Sequence, residues 1–262
     1  MAFVSSLSVS SNQGLLSALY SFVVTTLSWT PVASGVSGVA EGFVARSSGT
    51  SGDRLIIVKF GGSVANQSGI SVFACTAFNS ATSTATNPTT DKNLSLSGTA
   101  SITVYFEGDK DHIFVGTAVS SANGVQSWIY AGLTQEFSPT LSQFPTHVIV
   151  TNSLDIETTT GRLVEGPPGT YNSTIYVGSF DFTNVLNRCD PDLITSNILM
   201  FPVVVAHASV DRLYGTLRNC YGVGGAISHA IVITAPNGSG TDYVVFQSRA
   251  ASQKTGIAVR AS

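Results

Sequence analysis

Charge is what this sequence most lacks. Lys and Arg together number 12 and Asp and Glu 15 among 262 residues, 10% in all, for a net charge of −3. Soluble domains usually carry ~25% charged residues. So thin and balanced a set provides no basic field for nucleic acid and no acidic tail. From Met1 to Ala40 there is no charged side chain, and Glu41 is the first. Ser, Thr, Asn and Gly supply the polarity instead. Two readings fit: a surface covered by neighbouring subunits, or a Ser/Thr-rich β protein of the secreted kind.

Cysteine is scarce as well. Cys75, Cys189 and Cys220 lie far apart and form no C-x-x-C pair, which removes the usual zinc signature. An odd count cannot pair fully within one chain. Buried thiols are the expectation, with a Cys189–Cys220 bridge as the alternative. Long apolar runs are missing too. Leu15–Leu27 is too short for a membrane span and is broken by Ser17, Ser21, Thr25 and Thr26. No Lys or Arg precedes it, so it does not read as a signal peptide. Without a secretion signal, the N-x-S/T matches at Asn66, Asn93, Asn172 and Asn237 carry little meaning.

What the sequence does have is β pattern. Ile102–Glu107, His112–Val119 and Val125–Gly132 read as three strands. The first turn is Gly108-Asp109-Lys110-Asp111, expected to be a solvated hairpin tip, and the second is Ser120 to Gly124. Both have the Gly/Asn/Asp chemistry that reverses an extended chain, and short connections imply an antiparallel meander. These strands lack the clean apolar/polar alternation of a sheet with one wet face. Both faces should therefore be covered, by the rest of the chain or by another subunit.

One helix is expected, over Asn12–Thr26. Ser11 to Gln13 supplies a polar start, and Leu15, Leu16, Leu19, Phe22, Val23 and Leu27 follow helical spacing. Tyr20 and Val24 widen that stripe. Ser28–Ala33 reads as an edge strand because of Pro31. Gly42–Arg46 and Asp53–Phe60 form a hairpin, Gly69–Phe78 a strand, and Asn79–Asn93 an exposed loop. His147–Asn152, Ile175–Phe182, Asn197–His207, Leu213–Tyr221, Ala230–Thr234 and Tyr243–Ser248 complete the strands. Thr158–Tyr171, rich in Gly and Pro, is the candidate boundary between a lobe at 1–157 and a lobe at 158–262, unless the two are one continuous domain. The fold class is mainly β: antiparallel, sandwich-like sheets with one N-terminal helix packed on them.

Motifs for chemistry are few. Leu55–Ser63 (Leu-Ile-Ile-Val-Lys-Phe-Gly-Gly-Ser) resembles the opening strand and loop of the amino-acid kinase family. There a lysine and two glycines cradle nucleotide phosphates, which would make Lys59, Phe60, Gly61 and Gly62 a nucleotide loop. That family is α/β, however, and its loop feeds a helix, whereas Val64–Gly69 leads to another β-like run. His112, His147, His207 and His229 form neither H-x-x-x-H nor H-E-x-x-H. The G-x-S-x-G elbow is absent. Asp190-Pro191-Asp192 lacks the oxygen spacing of a calcium loop and reads as a turn. No catalytic residue, metal site or cofactor is assigned.

Taken together, the uncharged start with Leu15, Leu16 and Leu19, then Trp29, the strand Asp53 to Val58, the meander Val104-Tyr105-Phe106 to Ile113-Phe114-Val115, Trp128 to Gly132, the segment Pro139 to Pro145, Tyr243 to Gln247 and the ending Ile257 to Arg260 resemble a loosely defined group. That group is the virion structural proteins of tailed bacteriophages, from tail, baseplate or neck. The resemblance implies a non-enzymatic virion component whose partners are other copies of itself and other virion proteins. Its candidate interface residues are Leu15, Leu19, Tyr20, Phe22 and Val24. The rival reading is a β module that grips host-surface carbohydrate with Trp128, Tyr130 and Tyr171. A third is an enzyme built on the Lys59 motif. No specific nucleic acid and no membrane span are expected.

Overall fold

The computed structural model describes residues 2–34, 42–62, 69–95, 101–118, 128–135, 148–152, 160–163, 173–178, 200–207, 213–224, 230–235, 241–247 and 255–261. Strand β1 (Ala2–Val9) leads to helix α1 (Asn12–Tyr20), then β2 (Thr30–Ser34), β3 (Gly42–Ser47), β4 (Ile56–Gly62) and β5 (Gly69–Ala74). A short hairpin follows, β6 (Ala77–Asn79) and β7 (Thr84–Thr86), and then β8 (Lys92–Ser95). The meander is β9 (Ile102–Gly108), β10 (His112–Thr117) and β11 (Trp128–Leu133), continued by β12 (Val148–Asn152), β13 (Thr160–Leu163) and β14 (Ser173–Gly178). The chain closes with β15 (Met200–His207), β16 (Leu213–Gly224), β17 (Ile231–Ala235), β18 (Thr241–Gln247) and β19 (Thr255–Arg260). The expected class holds: antiparallel sheets with one N-terminal helix.

Twelve strands form one sheet in the order β1-β9-β10-β11-β12-β13-β14-β15-β16-β19-β18-β17, and five form a second, β2-β3-β4-β5-β8. Strand β13 pairs with β12 and with β14, so the large sheet runs through the Gly/Pro-rich region around residue 160. The helix and the small sheet cover one face of the meander. Leu15, Leu19, Phe22, Phe60, Ile70, Phe106, Val115 and Ile129 belong to one buried cluster. The opposite face, with Phe114, Trp128, Tyr130 and Ile149, packs on Val205, Leu217, Val244, Phe246 and Ile257 from the far end of the same sheet. The large sheet thus curls back on itself, and a two-way backbone bridge between Gln135 and Thr216 (2.8 Å each way) pins the curl. Both faces of the meander are covered by the chain itself. Gly116 is what allows the close approach, since a Cβ there would strike the Phe246 ring.

The helix divides where its composition changes. Ser11 caps it, its Oγ accepting from the Gly14 N–H at 3.0 Å. The first part, with three leucines on its inner side, is α-helical. Ser21–Thr26 continues as a π-helical turn in which the Leu27 N–H donates to the Phe22 carbonyl at 2.9 Å. The widening coincides with Val23, Val24, Thr25 and Thr26, whose β-branched side chains crowd a regular helix. Leu15, Leu19 and Phe22 are buried in this chain's own core, and Phe22 stacks on Phe106 at 5.4 Å. Tyr20 and Val24 are only partly buried against it. We predict that Ser11→Ala lowers stability by ~1 kcal/mol through loss of the cap. An unchanged denaturation midpoint would show that the cap contributes nothing.

Several elements differ from the sequence-based expectation. Strand β1 had no expected counterpart. It pairs with β9, with Ser5 and Ser6 bulged opposite Tyr105. Gly69–Phe78 is not one strand, for pairing with β4 stops at Ala74. Asn79–Asn93 is not simply an exposed loop. It holds β7, turned by the Asn79 side chain accepting from the Ala81 and Thr82 N–H groups, and it buries Thr89 and Lys92. The tail supplies a buried inner strand, β19, between β16 and β18. The turn at Ser120–Gly124 and the stretches Pro139–Pro145 and Thr183–Asp192 lie outside the described residues.

Candidate functional site

The one concentrated group of charges among the described residues sits at the first turn of the meander. That turn is not a solvated tip: Lys110 alone of its side chains is exposed, while Asp111 and His112 are buried and Asp109 is half-buried. Glu107 closes β9 and His112 opens β10. Both are fully buried, and the His112 Nε2 lies 2.8 Å from Glu107 Oε2. The other ring nitrogen, Nδ1, lies 3.0 Å from Asp109 Oδ1. The imidazole stacks on the Tyr130 ring at 5.4 Å. Gly132 faces it across the ladder with φ of +147°, and a Cβ there would overlap the His112 backbone.

Three other chain segments close on this turn. Between β3 and β4, Thr50 donates to Asp111 from its backbone N–H (2.7 Å) and its hydroxyl (2.8 Å). Ser47 Oγ donates to the Lys110 carbonyl at 2.6 Å. The Trp29 indole N–H donates to the Asp109 carbonyl at 2.9 Å. From β16, Arg218 Nη1 donates to Asp111 Oδ2 at 2.8 Å and Asn219 Nδ2 to Glu107 Oε1 at 3.0 Å. A bulge aims these two side chains. Thr216 pairs with Val204 and Tyr221 with Pro202, so Leu217 to Cys220 stand opposite Val203 alone. Asn219 takes a φ of +54° there, a left-handed conformation that asparagine tolerates better than most residues.

The electrostatics follow from the geometry. Burial pushes the His112 pKa down, but the Glu107 charge and the bonds to Asp109 and Glu107 outweigh it and raise the pKa to about 9. Burial likewise pushes Asp109 up, and the hydrogen bond and charge of His112 outweigh it, lowering the pKa to about 2. At neutral pH the imidazolium therefore lies between two carboxylates. Its stabilisation is fully present below the unfolded value of ~6.5 and is lost as pH rises through about 9. We predict a fall in unfolding free energy on the order of 3 kcal/mol between pH 6 and pH 10. His112→Gln should flatten that slope, and an unchanged slope in the variant would remove His112 as its source.

A carboxylate–imidazole–carboxylate row can relay protons, but only if a reacting group reaches it. Here both ring nitrogens are engaged and the ring is sealed. Ser47 and Thr50 spend their hydroxyls on neighbours. Cys220 is a free, buried thiol, and burial together with the Glu107 charge pushes its pKa well up, away from a reactive thiolate. The arrangement acts as a clasp joining the small sheet, the meander and β16.

The other candidate residues are dispersed. Lys59 lies mid-strand in β4 with its ammonium over the Phe73 ring at 5.2 Å. Gly61 and Gly62 belong to the same strand and pair with Ser71 and Ile70, so these two glycines continue a ladder instead of opening a phosphate loop. Trp128 and Tyr130 are buried, as core residues and not as an exposed aromatic groove. Tyr171, His147, His229, Cys189 and Asp190–Asp192 lie outside the described residues, and His207 is in β15. Cys75 is a free buried thiol. Among the described residues no cluster of three or more His, Cys, Asp or Glu is placed to hold a metal ion, and no helix is long and apolar enough to cross a membrane. No protein-family model matches the chain, and no curated protein matches it significantly.

Proposed function

We propose that this protein is a non-enzymatic structural component of a tailed-bacteriophage virion, in the tail, baseplate or neck, acting by symmetric assembly with copies of itself and with other virion proteins. One observation supports the structural part above others: where the charge goes. The described cluster of Glu107, Asp109, Asp111, His112 and Arg218 is turned inward. Outer strands β1 and β17 of the large sheet carry no charged side chain at all, whereas at the rims of the small sheet β2 carries Pro31 and β8 carries Lys92. Charge on outer strands is the common guard against edge-to-edge association, and its absence suits edges meant to be covered. The phage assignment rests on the sequence resemblance. Of the five candidate interface residues on the helix, Tyr20 and Val24 are the two with surface left to offer a neighbour.

Native mass spectrometry of the purified chain tests this reading. A defined homo-oligomer, or incorporation into particles, is the expected result. A monomer at every concentration that binds carbohydrate would overturn it in favour of a host-binding module.

A further inference from the structure

The two outermost strands of the large sheet are β1 and β17. Each pairs on one side only among the described residues. An edge strand turns half of its backbone N–H and C=O groups away from the ladder, and their natural complement is another strand edge. Of the large hydrophobic side chains left exposed among the described residues, Leu7, Leu55 and Val232, two belong to these two strands: Leu7 to β1 and Val232, 61% exposed, to β17. Strand β17 reads Ile231-Val232-Ile233-Thr234-Ala235, β-branched through four positions, with neither charge nor proline. By contrast, β2 at the rim of the small sheet carries Pro31.

We propose that β17 of one copy adds to β1 of the next, continuing the twelve-stranded sheet across subunits; this rests on the assembly reading above and names its contact. Because the two edges are unlike, each copy gives β17 to one contact and β1 to another, in a two-fold pair or around a ring. A five-residue ladder spans only ~17 Å and is weak alone. Closure gives every copy two such contacts, which multiplies their effect without new surface. The exposed Val232 and Leu7 side chains then supply the apolar contact flanking the ladder.

Two measurements test the pairing. In a Cys189→Ser background, Leu7→Cys and Val232→Cys copies are mixed and treated with a short bis-maleimide. Cross-links between unlike copies, well above those of either copy alone, are expected. Val232→Lys should lose the oligomer while keeping a cooperative unfolding transition, and Val232→Thr should keep the oligomer. If Val232→Lys assembles to the wild-type mass, or Val232→Cys copies link only to each other, the β17–β1 contact is wrong while the assembly reading stands. A wild-type chain that stays monomeric up to its solubility limit overturns both.

Discussion

Replacing Glu107 with alanine is expected to remove ~3–5 kcal/mol of stability, the usual cost of stranding a buried charge whose partner is deleted. Glu107 is fully buried and holds two groups at once, the His112 ring and the Asn219 amide. Its loss leaves the imidazolium with Asp109 alone and the Asn219 amide without its acceptor. Against a total stability of ~5–15 kcal/mol, that is enough to unfold a large share of the molecules on warming. Lys110→Ala, at the exposed position of the same turn, should stay within ~0.5 kcal/mol of wild type. Urea titrations of both variants decide the matter. Equal midpoints for the two would mean that the clasp holds nothing together.

The second large effect is expected from Trp128→Ala, again ~3–5 kcal/mol, here from a cavity in place of an unpaired charge. Trp128 is buried in β11, stacked on Phe114 at 5.8 Å, and Phe114 in turn meets Phe246 of β18 at 5.4 Å. The indole therefore lies where the meander meets the far strands of the curled sheet. Trp128→Phe should retain much of the packing and cost less. A denaturation midpoint unmoved by the alanine change would place Trp128 at a surface and reopen its use as a ligand platform.

How much of this was legible depended on sequence distance. The meander could be read because its turns and two-sided apolar strands are local, and the helix because Leu15, Leu16 and Leu19 repeat at helical spacing. The π-helical turn was not anticipated, although the β-branched run that accompanies it was visible. Strand β1 escaped because its partner lies in β9, at Ile102 to Gly108, and an unpaired Ser-rich segment has no signature of its own. The clasp escaped for the same reason. Arg218 meets Asp111 across 107 positions and Asn219 meets Glu107 across 112, separations no pattern records. One signal was present: Glu107 and His112 were polar residues in strands otherwise almost wholly apolar, and a buried charge requires a partner. Reading the Asp109–Asp111 turn as a solvated tip overlooked that demand.

That separation also sets an order of events during synthesis. Val9 is made long before Ile102, its ladder partner, and at ~5–20 residues per second the wait is roughly 5–20 s. Throughout it β1 is an uncharged strand with both edges open. The Asp111 carboxylate waits about as long again for Arg218. Chains stalled on the ribosome before Leu213 should therefore show fast hydrogen exchange around His112, and chains carried past Arg260 should show slow exchange. Equal rates in the two would mean that the turn is sealed without β16. The β16 bulge is thus a late arrival that closes the turn from its last side, and until it arrives the buried charges of that turn and the open edges of β1 are both exposed to neighbouring chains on the same message.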